Sequence, residues 1–167
     1  MTKPPTLNND QVTIWRSWLL GYEHVASAME RTLSPYGIDT SQLRVLMLLS
    51  ESKGHRMRMF DIARAANRSP SRLSHMVARM ETEGLVVRQP CENDRRGAWL
   101  FLTDAGVNVL HQVETPHMLD IHRTFIDAIG ARDFLAIGRA MRKVLEVNAD
   151  PKCKRTMAQY EWWPALD

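Results

Sequence analysis

The chain has 167 residues, 44% hydrophobic and 25% charged, with a formal net charge of +3 and only two cysteines, Cys91 and Cys153. That suits one compact domain or two small lobes sharing a core, and excludes a disulfide framework. No apolar run approaches the ~18 residues that span a bilayer. The opening MTKPPTLNNDQ lacks the apolar core of a secretory signal, so the expectation is a cytoplasmic protein with no membrane partner.

Residues 1–9 read as a disordered arm. From Asp10 to about Ser34 apolar residues recur at three- and four-residue steps (Trp15, Trp18, Leu19, Tyr22, Ala26, Met29, Leu33), which predicts one amphipathic helix stopped by Pro35 and Gly37. Asp39-Thr40-Ser41 caps a second helix running to about Ser50. Ser52–His55 is a loop, and the alternating Arg56-Met57-Arg58-Met59 fits a brief strand. A third helix covers about Met59–Ala66. Asn67-Arg68-Ser69 makes a turn, with Ser69 as N-cap and Pro70 at the first position of a fourth helix. That helix runs to about Glu83, where Gly84 supplies the stop. Leu85–Gln89 and Ala98–Leu102 read as strands around a loop, Pro90–Gly97. Thr103-Asp104 caps a fifth helix that Pro116 should kink or break. The helical pattern resumes to Ile129, Gly130 interrupts it, and a last helix spans about Arg132–Asn148. Residues 149–167 form a tail ending near Trp162-Trp163, expected to dock on the rest of the molecule.

The order helix, turn, helix, strand, basic hairpin tip, strand is that of a winged helix-turn-helix, whose second helix enters the DNA major groove. At roughly 100° per residue, Leu73, Met76, Val77 and Met80 share the buried face of the fourth helix. Ser71, Arg72, Ser74, His75 and Arg79 lie opposite, and no carboxylate appears there before Glu81 and Glu83. Arg can pair bidentately with guanine, and Ser and His can meet base edges or phosphates. Ser71, Arg72, Ser74 and His75 are the candidates for base edges, and Arg79 for phosphate. A merely solvated helix face is the alternative reading. In the wing, Arg95 and Arg96 can reach a narrow minor groove, with Asp94 orienting Arg96. Charge follows the motif: Lys53 to Leu100 holds ten Lys and Arg against five Asp and Glu, a local net of +5 that leaves −2 for the rest.

These residues resemble the MarR (multiple antibiotic resistance regulator) family. The resemblance rests on IARAANRSPSRLSHMVARMETEGLVVR, on the wing signature Asp94-x-Arg96, and on Leu102-Thr103-x-x-Gly106, and extends over about residues 10–148. It implies a mainly α fold with a small β-wing: a winged helix-turn-helix lobe, residues 38–103, and a helical dimerisation region, residues 10–36 and 104–148. It implies a homodimer on a pseudo-palindromic operator in double-stranded DNA, commonly a repressor released by a small, often phenolic, effector. The recognition helix is then Ser69, Ser71, Arg72, Ser74, His75 and Arg79, and the wing is Asp94, Arg95 and Arg96. The two apolar stripes at opposite chain ends agree with a dimer, since a lobe of under ~100 residues between them cannot bury both.

Trp15, Trp18, Tyr22, His24 and Met47 are a candidate ligand pocket, although such aromatics more often belong to a core. His111, His117 and His122 come at steps of six and five and do not share one helical face, so no metal or cofactor is expected; a chain redirected at Pro116 could still join them to His55 or Asp120. Cys91 lies near the wing, away from the first helix where oxidant-sensing members keep their thiol. The chain carries no phosphate loop, G-x-S-x-G or HExxH, so an enzyme is not expected. The competing reading is a non-enzymatic architectural or protein-interaction factor built on the same fold.

Overall fold

The computed structural model describes residues 6–91 and 94–148. Residues 1–5 of the expected arm and the whole expected tail, 149–167, lie outside the described residues. The elements in order are α1 (Asn9–Leu33), α2 (Thr40–Glu51), β1 (Arg56–Arg58), α3 (Met59–Ala65), α4 (Pro70–Thr82), β2 (Val86–Cys91), β3 (Asp94–Leu102), α5 (Asp104–Ile121) and α6 (Asp127–Asn148). A π-helical turn, His122–Ile126, joins α5 to α6. The molecule is therefore mostly helical, with one antiparallel sheet in the order β1-β3-β2. No described helix is long and apolar enough to cross a membrane.

Local chemistry sets the helix starts. Asn8 and Gln11 form a reciprocal capping box on α1, so the helix begins at Asn9, inside the expected arm. Asp39 and Gln42 do the same for α2. Glu30 of α1 accepts from the backbone N–H of Thr40 at 3.2 Å and from its hydroxyl at 2.5 Å, satisfying another amide at the start of α2. Ser69 caps α4 with Pro70 following, and Thr103 caps α5.

One expectation fails outright and a second in part. The predicted wing loop Pro90–Gly97 is mostly strand: β2 extends to Cys91 and β3 starts at Asp94, leaving only Glu92 and Asn93 between them, outside the described residues. A register shift between Pro90 and Cys91 interrupts the ladder there. Pro116 does not break its helix, for α5 runs through it to Ile121. The lost amide costs one hydrogen bond, while α5 packs on both α1 and α2, which hold it in place. Irregularity follows at His122–Ile126, where the hydroxyl of Thr124 donates to the carbonyl of Asp120, near the end of α5, at 2.6 Å. Gly130, at φ 77°, does interrupt the last helical stretch.

The core sits in the lobe. Leu46, Leu49, Ile62, Leu73, Val77, Met80 and Leu100 are fully buried, joined by Leu33 from the end of α1 and Val113 from α5. Burying each such side chain contributes roughly 1.5–3 kcal/mol. The helical extension contrasts with this: from Asn9 to Glu23 no residue is buried, and none is buried in α6.

Candidate nucleic-acid interface

Helix α4 presents the face its sequence predicts. Leu73, Val77 and Met80 are buried, and Met76 packs against them half-buried. Ser71, Arg72, His75 and Arg79 are exposed, whereas Ser74 is only half-exposed, at the margin of the face. Ser69 is exposed at the N-cap, where its hydroxyl accepts from the N–H of Arg72 at 3.3 Å. The turn before it is closed by Asn67 in the left-handed region, φ 50°. The N–H of Arg68 reaches the carbonyl of Ala63 at 2.8 Å and that of Asn67 reaches Arg64 at 3.0 Å, the paired bonds of a Schellman cap.

The carboxylates that close this face work inward. Glu83 accepts from Nε2 of Gln42 at 3.0 Å. Glu81 accepts from the backbone N–H of Arg88 at 3.1 Å, and its second oxygen lies 3.2 Å from the Arg88 guanidinium. The end of α4 is thus tied to the start of α2 and to the first wing strand. The pair leaves Arg88 incompletely satisfied, since its Nε is buried without a hydrogen-bond partner. Gln42, 1% exposed, is the buried polar side chain of the lobe core, and the sequence reading overlooked it. Its signal was present as the third helical residue of an Asp-x-x-Gln box.

A second overlooked feature lies beside α4. A recess of about 240 Å³ is lined by Asp39, Ser41, Arg68, Arg72, His75, Met76 and Arg79. The Arg68 guanidinium donates to the Ser41 hydroxyl at 2.5 Å, linking the turn to the first turn of α2. Of the wing residues, Asp94 opens β3 opposite Cys91. The register shift puts Arg95 and Arg96 in the irregular part of the pairing, and the side chains of Asp94, Arg95 and Arg96 lie outside the described residues. Cys91 is buried, and Arg88, three residues earlier on β2, is engaged by Glu81.

The candidate ligand-pocket residues separate. Trp15, Trp18 and Tyr22 form an exposed stacked ladder on α1, with ring centroids 5.1 and 6.1 Å apart. His24 is exposed on the same helix. Met47 instead lines a cavity of about 590 Å³ between α2 and α5, with Leu43, His55, His111, Val113 and His117 among its neighbours. Met47 and His117 also line an adjoining cavity of about 430 Å³ that reaches Met29 of α1. The ladder and His24 line neither. Three of the chain's histidines, His55, His111 and His117, thus line one cavity, while His122 stands exposed 3.8 Å from Asp127. Among the described residues no three His, Cys, Asp or Glu side chains are grouped so as to hold a metal. Burial holds His117 below the ordinary imidazole value, opposed by the Asp120 carboxylate. Asp120 in turn accepts from the Thr32 hydroxyl at 2.5 Å, joining α5 to α1.

Residues 38–97 match a family model described as the MarR family. The chain is similar to AbsC, a MarR family transcriptional regulator from Streptomyces coelicolor, at 36% identity and a TM-score of 0.80, over 85% of this chain and 96% of that one. It is similar to Sco3205, a MarR family transcriptional regulator from the same organism solved in complex with DNA, at 30% identity and a TM-score of 0.85, over 91% and 96%. A mutant MarR from E. coli, solved with operator DNA, shares the fold at 22% identity and a TM-score of 0.72, over 84% and 99%. The comparison with curated proteins finds no match. The lobe, its helix order and these likenesses together place the chain in the MarR family of transcriptional regulators.

Proposed function

We propose that this protein binds duplex DNA sequence-specifically as a homodimer on a pseudo-palindromic operator, acts there as a repressor in the cytoplasm, and is released by a small molecule. The observation that carries the reading is the exposed face of α4: Arg72, His75, Arg79 and Ser71, on a helix whose C-terminal end is tied to Gln42 and Arg88 through Glu83 and Glu81. The complex of the 30%-identical Sco3205 with DNA supports it. Arg72 and His75 read base edges, and Arg79 meets phosphate. Asp94, Arg95 and Arg96 are assigned to the minor groove by their place at the start of β3.

The homodimer rests on the projecting helices. Ile14, Trp15, Trp18, Leu19 and Leu20 of α1 and Phe134, Leu135, Val144 and Leu145 of α6 are all exposed in the single chain. A helical arm with so much bare apolar surface is stable once a second copy covers it. Residues 10–36 and 104–148 are accordingly assigned to dimerisation and 38–103 to DNA. The Trp15–Trp18–Tyr22 ladder belongs to the subunit interface in this reading, and the effector occupies the cavity at Met47 and His117. There it bears on α2 and α5, the helices that join lobe to arm.

Selection of genomic fragments on the purified dimer at two salt concentrations tests the proposal. One inverted repeat retained at the higher salt supports it. Enrichment without sequence preference indicates an architectural factor instead.

A further inference from the structure

We infer that the recess between α2 and α4 is a phosphate-binding site, in which Arg68, braced by Ser41, grips one phosphodiester of the duplex and sets the seat of the recognition helix. The inference rests on the DNA-binding reading above and adds residues that the reading does not use.

Four observations carry it. Arg68 stands at the C-terminal side of the Schellman cap, so its backbone is tied to α3 by its own N–H on Ala63 and by the N–H of Asn67 on Arg64 rather than free in a loop. Its guanidinium is bridged to Ser41, 27 positions away and also lining the recess, by a 2.5 Å hydrogen bond. A neutral hydroxyl uses one of the five guanidinium N–H groups and leaves the charge uncompensated. Among the described residues none of Arg68, Arg72 and Arg79 is ion-paired with a carboxylate, although all three line one recess of about 240 Å³. The single carboxylate there, Asp39, accepts through Oδ1 from the N–H of Gln42 as the cap of α2. Three guanidinium groups against one capped carboxylate form a concave positive site on the side of the molecule that carries Arg72 and His75. A planar guanidinium with a fixed direction matches a phosphate in bidentate geometry. Ser41 acts on the phosphate through Arg68 by holding that plane, which makes it a positioning residue.

The test is equilibrium binding of the full-length dimer to the selected repeat and to a scrambled duplex of equal length, each over a range of salt. Arg68→Ala should weaken both duplexes alike, by about fivefold near physiological salt, and lower the salt slope by about one contact. Arg68→Lys should keep the slope and lose part of the affinity. Ser41→Ala should weaken binding in the wild-type background and have no effect in Arg68→Ala. A single neutral methylphosphonate at the gripped position should weaken the wild type and leave Arg68→Ala unchanged. Arg68 is exposed, so unaltered thermal melting of the variants is expected. If Arg68→Ala binds with wild-type affinity and slope while Arg72→Ala does not, the phosphate site is wrong and the DNA reading stands. If the wild-type dimer binds neither duplex, both are wrong.

Discussion

The side-chain amide of Gln42 bridges the start of α2 and the end of α4: its Oε1 accepts from the N–H of Asp39 at 2.9 Å, and its Nε2 donates to Glu83 at 3.0 Å. The start of α2 and the end of α4 are thereby held by one buried group. Gln42→Leu keeps the volume and strands both partners. Unfolding in urea should show a loss of about 1–3 kcal/mol with an unchanged slope. The double variant with Glu83→Leu should lose less than the sum of the two single changes, and strict additivity would mean the bond carries no coupling.

Gly106 explains the glycine of the Leu102-Thr103-x-x-Gly106 signature. A Cβ at that position would lie 2.3 Å from the carbonyl oxygen of Leu85 and 2.6 Å from a methyl of Leu102. The carbonyl cannot retreat easily, because it also accepts from the N–H and the hydroxyl of Thr103. Gly106→Ala should therefore destabilise by about 1–3 kcal/mol, read as a lowered melting temperature. A melting temperature equal to wild type would show that the α5 start can shift without cost.

Truncation of the α4 face separates base reading from charge. Arg72→Ala should cost about 1–3 kcal/mol on the operator and relax preference at one base pair. Arg79→Ala should weaken operator and scrambled duplex equally and reduce the salt slope. Titrations against a set of single-base operator variants distinguish the two, and equal loss on all sequences for Arg72→Ala would move it to the phosphate class.

The proposed dimer makes its own prediction. Trp18→Glu on α1, or Leu135→Glu on α6, places a carboxylate in the apolar face that a second copy would cover. Sedimentation equilibrium at micromolar concentration should give twice the chain mass for wild type and a marked shift toward the monomer for either variant. A monomeric wild type would contradict the assignment of these helices.

His117 should leave a trace in the pH dependence of stability. Burial lowers its folded-state pKa, with Asp120 opposing. The unfolded chain then binds more protons as pH falls through about 6.5, so this contribution is complete above that value and lost as pH falls toward the folded pKa. Comparing urea midpoints at about pH 7.5 and about pH 5.5, His117→Gln should show a smaller acid loss than wild type. An identical loss would place the pH dependence on other groups.

Much of this architecture was legible because it is locally encoded. Asp39, Ser69-Pro70 and Gly84 each set an element boundary through their own backbone chemistry, Gly130 interrupts the last helical stretch, and the α4 face followed from helical period alone. What escaped was set by partners far apart in sequence. Cross-strand pairing carries strand through the polar, charged start of β3, where hydrophobic alternation is weak. Packing of α5 on two helices overrides the breaking tendency of Pro116. The cavity joins residues 43–55 to residues 107–118, which sent Trp15, Trp18, Tyr22 and His24 to one side and Met47 to the other. The Arg68–Ser41 and Gln42–Glu83 contacts likewise span 27 and 41 positions.

The most direct test of the central claim is competition between the selected inverted repeat and a scrambled duplex for the wild-type protein at physiological salt. A preference of about a thousandfold or more for the repeat is predicted, largely abolished in the Arg72→Ala/His75→Ala double variant. Equal affinity for the two duplexes, or a preference that survives the double variant, would contradict recognition by α4.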